Sequence, residues 1–215
     1  MIIAKRNKLI WIIVAFYLFA FLFGLISRFL GVYGSIISGF IYYTCLVIIM
    51  AYMVKRVEKH TFVSKGLSLH SIVKDVILGI GIFVVLVIIF YSYFFVLYGV
   101  KPNFVHLTLF ETILRAIYFI WFVGFAEELI FRGYLLDRFK ELLNSKIYAI
   151  LLSSLLFALW HYPVSYNFGQ VVFAFFFGII LSTIRVISKR EVMVALVIGH
   201  GLYNFFPFLV GYFIK

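Results

Sequence analysis

Apolar runs about one membrane thickness long recur along this chain, separated by short polar or basic stretches. Crossing a hydrocarbon core about 30 Å thick takes roughly 20 apolar helical residues, because lipid offers no partner to an unpaired backbone group. Leu9–Ser27, Val32–Val54 and Val76–Tyr98 satisfy this without a single charge. Leu107–Phe131, Ile147–Tyr162, Tyr166–Ile184 and Val192–Ile214 follow with polar interruptions, the second of them short and ending at Pro163. The pattern predicts an all-α, polytopic transmembrane helix bundle of about seven spans, built as a single membrane domain over residues 1–215. Residues 1–106 read as scaffold helices and 107–215 as the helices that carry the chemistry. No small-residue cleavage pattern follows the first run, so it reads as a span and not as a signal peptide.

Composition sharpens this picture. The chain is 66% hydrophobic and 13% charged, with a mean hydropathy of +1.16, whereas a soluble domain is about half apolar and about a quarter charged. A soluble enzyme, a disordered segment and a nucleic-acid-binding domain are excluded. Cys45, inside an apolar run, is the one cysteine, so there is no disulfide framework and no cysteine-based metal cluster.

The net charge of +11 is explained by where the cations fall. Lys5, Arg6 and Lys8 precede the first run. Lys55, Arg56, Lys59, Lys65 and Lys74 lie between the second and third. Arg132, Arg138, Lys140 and Lys146 follow the fourth, and Arg185, Lys189 and Arg190 the sixth. The opposite side holds Arg28, Lys101 and Lys215 alone. This bias predicts a cytoplasmic N-terminus, an outside C-terminus and a multi-pass protein of the cell membrane whose basic loops meet anionic lipid, with no nucleic-acid partner.

An ionisable group inside a span is costly and marks function by default. The first three runs contain none, while the last four contain Glu111, Arg115, Glu127, Glu128, His161 and His200, with Asn204 one turn beyond His200. Glu111 and Arg115 stand one turn apart and can pair and reach the headgroups, a structural role. Glu128 and Arg132 have the i, i+4 spacing of an intrahelical ion pair. Glu127 points about 100° away and is left unpaired within its helix; taken alone, it could equally meet a basic residue of a neighbouring helix. A glutamate beside a histidine in apolar surroundings can activate a water, and a second histidine with an amide can donate to the oxyanion formed when that water attacks a carbonyl. Together these parts suit peptide-bond hydrolysis. There is no HExxH motif, the only aspartates (Asp75 and Asp137) lie at span boundaries, and neither a rhomboid-like serine–histidine pair nor a P-loop is present.

The order Glu127-Glu128-x-x-x-Arg132, Phe157-x-x-x-His161, His200-x-x-x-Asn204, with the string EELIFRG around the first motif, resembles the CPBP family. These are the CAAX-protease and bacteriocin-processing intramembrane proteases, also called Abi proteins. The resemblance covers roughly residues 107–214. It implies an intramembrane endopeptidase acting on a membrane-associated or lipid-modified peptide or protein tail. In that reading Glu127 and His161 activate water, and His200 and Asn204 stabilise the oxyanion. Glu128 and Arg132 hold the first motif in shape, and Phe157 orients His161. No cofactor is preferred; the alternative is a zinc ion on Glu127, His161 and His200, which would leave an open position for water. An amphipathic or irregular cytoplasmic stretch is expected around residues 137–146, with the site opening toward the cytoplasmic leaflet. Two rival functions fit the same residues. One is a bacteriocin-immunity or membrane interaction protein that needs no catalysis. The other is a proton-coupled transporter, which would show flux driven by a pH gradient and no cleavage.

Overall fold

The structure is a computed structural model that describes residues 10–15, 17–19, 21–23, 26, 32–52, 54–55, 72–98, 107–188 and 192–213. The cations Lys5, Arg6, Lys8, Arg28, Arg56, Lys59, Lys65, Lys101, Lys189, Arg190 and Lys215 lie outside the described residues. Every regular element among the described residues is helical. Helical residues between Ile10 and Phe23 form α1. It is followed by α2 (Val32–Tyr52) and α3 (Ile72–Tyr98). A long helix, α4, runs over Leu109–Leu143. Next come α5 (Lys146–Trp160), a single turn α6 (Tyr162–Ser165), α7 (Phe168–Ile187) and α8 (Met193–Phe213).

Among the described residues, four helices are long and apolar enough to cross a membrane: Ile72–Ser92, Leu109–Leu143, Phe168–Ile187 and Met193–Phe213. Ile10–Phe23, Ile37–Tyr52 and Lys146–Trp160 are shorter apolar helices. Their outward faces carry Ile37, Ile41 and Ile48 on α2, Val73, Ile77 and Ile88 on α3, and Trp121 on α4, all exposed. Arg132, Glu127, Glu128 and His200 are buried. Apolar outside and charged inside is the arrangement hydrocarbon selects, and the chain is a multi-pass membrane protein.

Two boundaries differ from the sequence expectation by more than a helical turn. The third helix starts at Ile72, a turn earlier than Val76, and so includes Lys74 and Asp75. The fourth does not stop near Phe131 but continues to Leu143, its last two turns amphipathic, with Asp137 and Lys140 joined at 3.4 Å and Arg138 and Glu141 at 2.6 Å. Nothing between Phe131 and Leu143 breaks a helix; the break comes at Asn144, whose left-handed backbone (φ 47°) ends α4. Ser145 then caps α5 by accepting from the Tyr148 amide. Caps also fix two other entries. Thr108 and Glu111 close a reciprocal capping box at the start of α4, and the Asn167 side chain accepts from the Gly169 and Gln170 amides at the start of α7. Arg115 lies over the Phe208 ring, 4.4 Å from its centre.

The packing is set by close backbone approaches. α8 lies against α3 and the middle of α4, while α5 pairs with α7 and with the end of α4. A Cβ on Gly201 would stand 2.5 Å from the Ile120 Cα, and one on Gly124 would stand 2.9 Å from the Val197 carbonyl oxygen. Only glycine at both positions lets α4 and α8 touch backbone to backbone, the device membrane helices use in place of a hydrophobic drive. The Tyr17 hydroxyl donates to the Leu156 carbonyl and so ties α1 to α5.

Candidate active site

The glutamate pair sits between two wide turns of α4. Tyr118–Gly124 and Leu129–Leu135 wind with i→i+5 hydrogen bonds, leaving Phe125–Glu128 as one turn of ordinary α-helix. Such π segments interrupt the regular ladder and concentrate at functional sites. The Phe131 carbonyl accepts the Leu136 amide across the wide turn, and it also takes the Ser153 hydroxyl of α5 at 2.8 Å. This pins the second wide turn to its neighbour.

Glu128 and Arg132, both fully buried, form the ion pair their spacing predicts, Nη1 to Oε1 at 2.8 Å. The same Oε1 accepts from His200 Nδ1 at 2.8 Å. Arg132 also donates through Nη2 to the Gly178 carbonyl at 3.4 Å, and its guanidinium lies over the Phe157 ring, 4.3 Å from the centre. This group joins α4, α5, α7 and α8 and pairs the buried charges, while Glu128 Oε2 and Arg132 Nε have no hydrogen-bond partner among the described residues.

Glu127 faces other company. The Tyr43 hydroxyl of α2 donates to its Oε1 at 2.7 Å. Its Oε2 stands 3.6 Å from His200 Nε2 and has no hydrogen-bond partner among the described residues. The basic group it meets on a neighbouring helix is therefore an imidazole. A gap of this length between polar atoms invites a bridging water. His200, carried by α8 beside Gly201, lies between the two carboxylates with one ring nitrogen toward each.

His161 caps the end of α5. The acceptor opposite its Nδ1 is the Phe157 carbonyl at 2.9 Å, so Nδ1 is the donor in that bond and Nε2 is left free of it. Phe157 holds the two histidines from one ring: its centre is 4.8 Å from that of His161 and 5.8 Å from that of His200. Asn204, one turn after His200, is half-buried and makes no hydrogen bond among the described residues. The structure thus brings Glu127, Glu128, Arg132, Phe157, His161 and His200 into one cluster.

The zinc alternative needs Glu127, His161 and His200 arranged around one ion. Among the described residues no three histidine, cysteine or acidic side chains are so placed. The donors do not fit an ion in this arrangement.

Sequence reasoning missed three contributors. Tyr43 lies within an apolar run, where the signal was a phenol that needs a partner once buried. Gly124 and Gly201 carry no chemistry and show their purpose only when α4 and α8 are seen in contact.

The described helices thus form an all-helical bundle that encloses acidic, imidazole and guanidinium groups. Residues 109–206, a little under half of the chain, match the family model described as Type II CAAX prenyl endopeptidase Rce1-like, which falls within the CPBP intramembrane proteases. Neither a curated protein nor a solved structure matches the chain.

Proposed function

We propose that the chain hydrolyses a peptide bond in the lipid-modified tail of a membrane-associated protein by a glutamate-dependent, metal-free route. The observation that carries this reading is Oε2 of Glu127: a buried carboxylate oxygen without a protein partner, 3.6 Å from an imidazole nitrogen. A water placed there gives up its proton to Glu127, with His161 Nε2 as the second acceptor, and attacks the scissile carbonyl. The oxyanion that develops is met by His200 and Asn204, the half-buried amide with no partner of its own. Glu128 and Arg132 do not take part in proton transfer; they hold His200 and the first motif in place. The leaving amine recovers a proton from the same glutamate or histidine.

The surrounding organisation follows the charge pattern: one membrane domain in the cell membrane, N-terminus in the cytoplasm, the site open to the cytoplasmic leaflet. The test uses the chain in liposomes with a prenylated C-terminal peptide and its unprenylated twin, with products mapped by mass spectrometry. The wild type cleaves the prenylated peptide, keeps its activity with a chelator present, and loses it with Glu127→Gln or His161→Ala. Equal activity, or equal inertness, of wild type and Glu127→Gln contradicts the reading.

A further inference from the structure

The helices before residue 109 lie outside the family match, yet one of their side chains touches the candidate base. We infer that Tyr43 is a positioning residue, whose phenol holds one oxygen of Glu127 so that the other faces the imidazoles. The inference rests on the reading of Glu127 as the base.

The Tyr43 hydroxyl is buried and donates to Glu127 Oε1 at 2.7 Å across 84 positions of sequence. Its ring is held on two sides, edge-on to Tyr42 at 5.0 Å and to Tyr118 at 5.9 Å. α2 reaches this position through Gly39, one turn before Tyr43, where a Cβ would overlap the hydroxyl end of Tyr118. The donor is therefore fixed before any substrate arrives.

A phenol suits the task for a physical reason. A glutamate carboxylate turns about its last bond with little resistance, so an unheld Glu127 would present either oxygen, or neither, to a water. A charge-assisted hydrogen bond to Oε1 selects one orientation. A lysine or arginine in the same place would also neutralise the carboxylate, as Arg132 does for Glu128. Tyr43 orients it and leaves the negative charge on Oε2. Misplacing a reacting group by about 1 Å can cost about a hundredfold in rate.

The experiment compares kcat and KM for cleavage of a prenylated peptide in liposomes by wild type, Tyr43→Phe, Tyr42→Phe, Glu127→Gln and Tyr43→Phe/Glu127→Gln. The expected result is a fall in kcat of about 10- to 100-fold for Tyr43→Phe with KM unchanged. Tyr42→Phe keeps the wild-type kcat, and the double variant is no worse than Glu127→Gln alone. Should Tyr43→Phe lower the melting temperature, a fluorinated tyrosine at position 43 keeps ring and hydroxyl while changing donor strength. A kcat shift there supports the role, and an unchanged kcat overturns it. If Tyr43→Phe matches wild type in kcat, or raises KM alone, while Glu127→Gln is inactive, the role of Tyr43 falls and the hydrolase stands. A wild type that cleaves nothing overturns both.

Discussion

Glu127 and Glu128 are chain neighbours held by different partners, and the difference decides what each removal does. Glu128 answers a buried guanidinium at 2.8 Å, so Glu128→Gln strands Arg132 in an apolar interior. Breaking a buried pair in this way costs about 3–5 kcal/mol. Glu127→Gln leaves a carbonyl oxygen for the Tyr43 hydroxyl and no orphaned cation, so its cost is about 1 kcal/mol. The melting temperature in detergent checks this: Glu128→Gln should fall well below wild type and Glu127→Gln should stay close to it. The reverse order would contradict the assignment of one glutamate to structure and the other to chemistry. At this scale the Glu128–Arg132 pair was legible, because i, i+4 spacing is a local property of one helix. The Tyr43 contact was not, since its partner is supplied by a helix far away in sequence and the residue itself looks like one more aromatic in an apolar run.

Helix α4 carries both glutamates, and its contact with α8 sets how far His200 stands from them. The contact depends on Gly201, immediately after His200, and on Gly124, one turn before Glu128. At Gly201 the obstacle to a larger residue is backbone, the Ile120 Cα at 2.5 Å from a built Cβ, and no rotamer change relieves it. Gly201→Ala should therefore separate the helices, at a cost of about 1–3 kcal/mol, and lower kcat because His200 moves with the backbone. Gly81→Ala on α3, where a Cβ meets nothing within 4 Å, is the matched control and should stay within about 1 kcal/mol of wild type. Melting temperatures and cleavage rates of the two variants measure the contrast; equal behaviour would show that the close approach is not what places His200. The apolar runs revealed the helices because hydrocarbon imposes length and composition on a span. They did not reveal that α4 continues unbroken to Leu143, through the stretch expected around residues 137–146 to be amphipathic or irregular, nor that wide turns flank the glutamates. Such turns depend on neighbours such as Ser153, which supplies a hydroxyl to the Phe131 carbonyl.

For the whole molecule, charge placed outside the apolar runs predicts orientation, and charge placed inside them predicts chemistry. The basic residues between the second and third helices, and again after the fourth, should face the cytoplasm. Single cysteines introduced as Ile3→Cys or Lys215→Cys in a Cys45→Ala background report this with a membrane-impermeant maleimide on intact cells. Position 215 should label and position 3 should not; the opposite pattern would place the site on the other face of the membrane. The family match begins at residue 109, so the motif-bearing half was the more legible one. The helices before it were readable as spans alone, and the part α2 plays depends on a three-dimensional contact that no periodicity records.

The central claim is that the unpartnered oxygen of one buried carboxylate performs the hydrolysis. Its most direct test is kcat/KM of Glu127→Gln against wild type on a prenylated peptide in liposomes, with equal melting temperatures confirming that both are folded. The account predicts a loss of about 10²- to 10⁴-fold, the range of a removed general base. A value within about threefold of wild type would contradict it, since removal of a general base costs at least about a hundredfold.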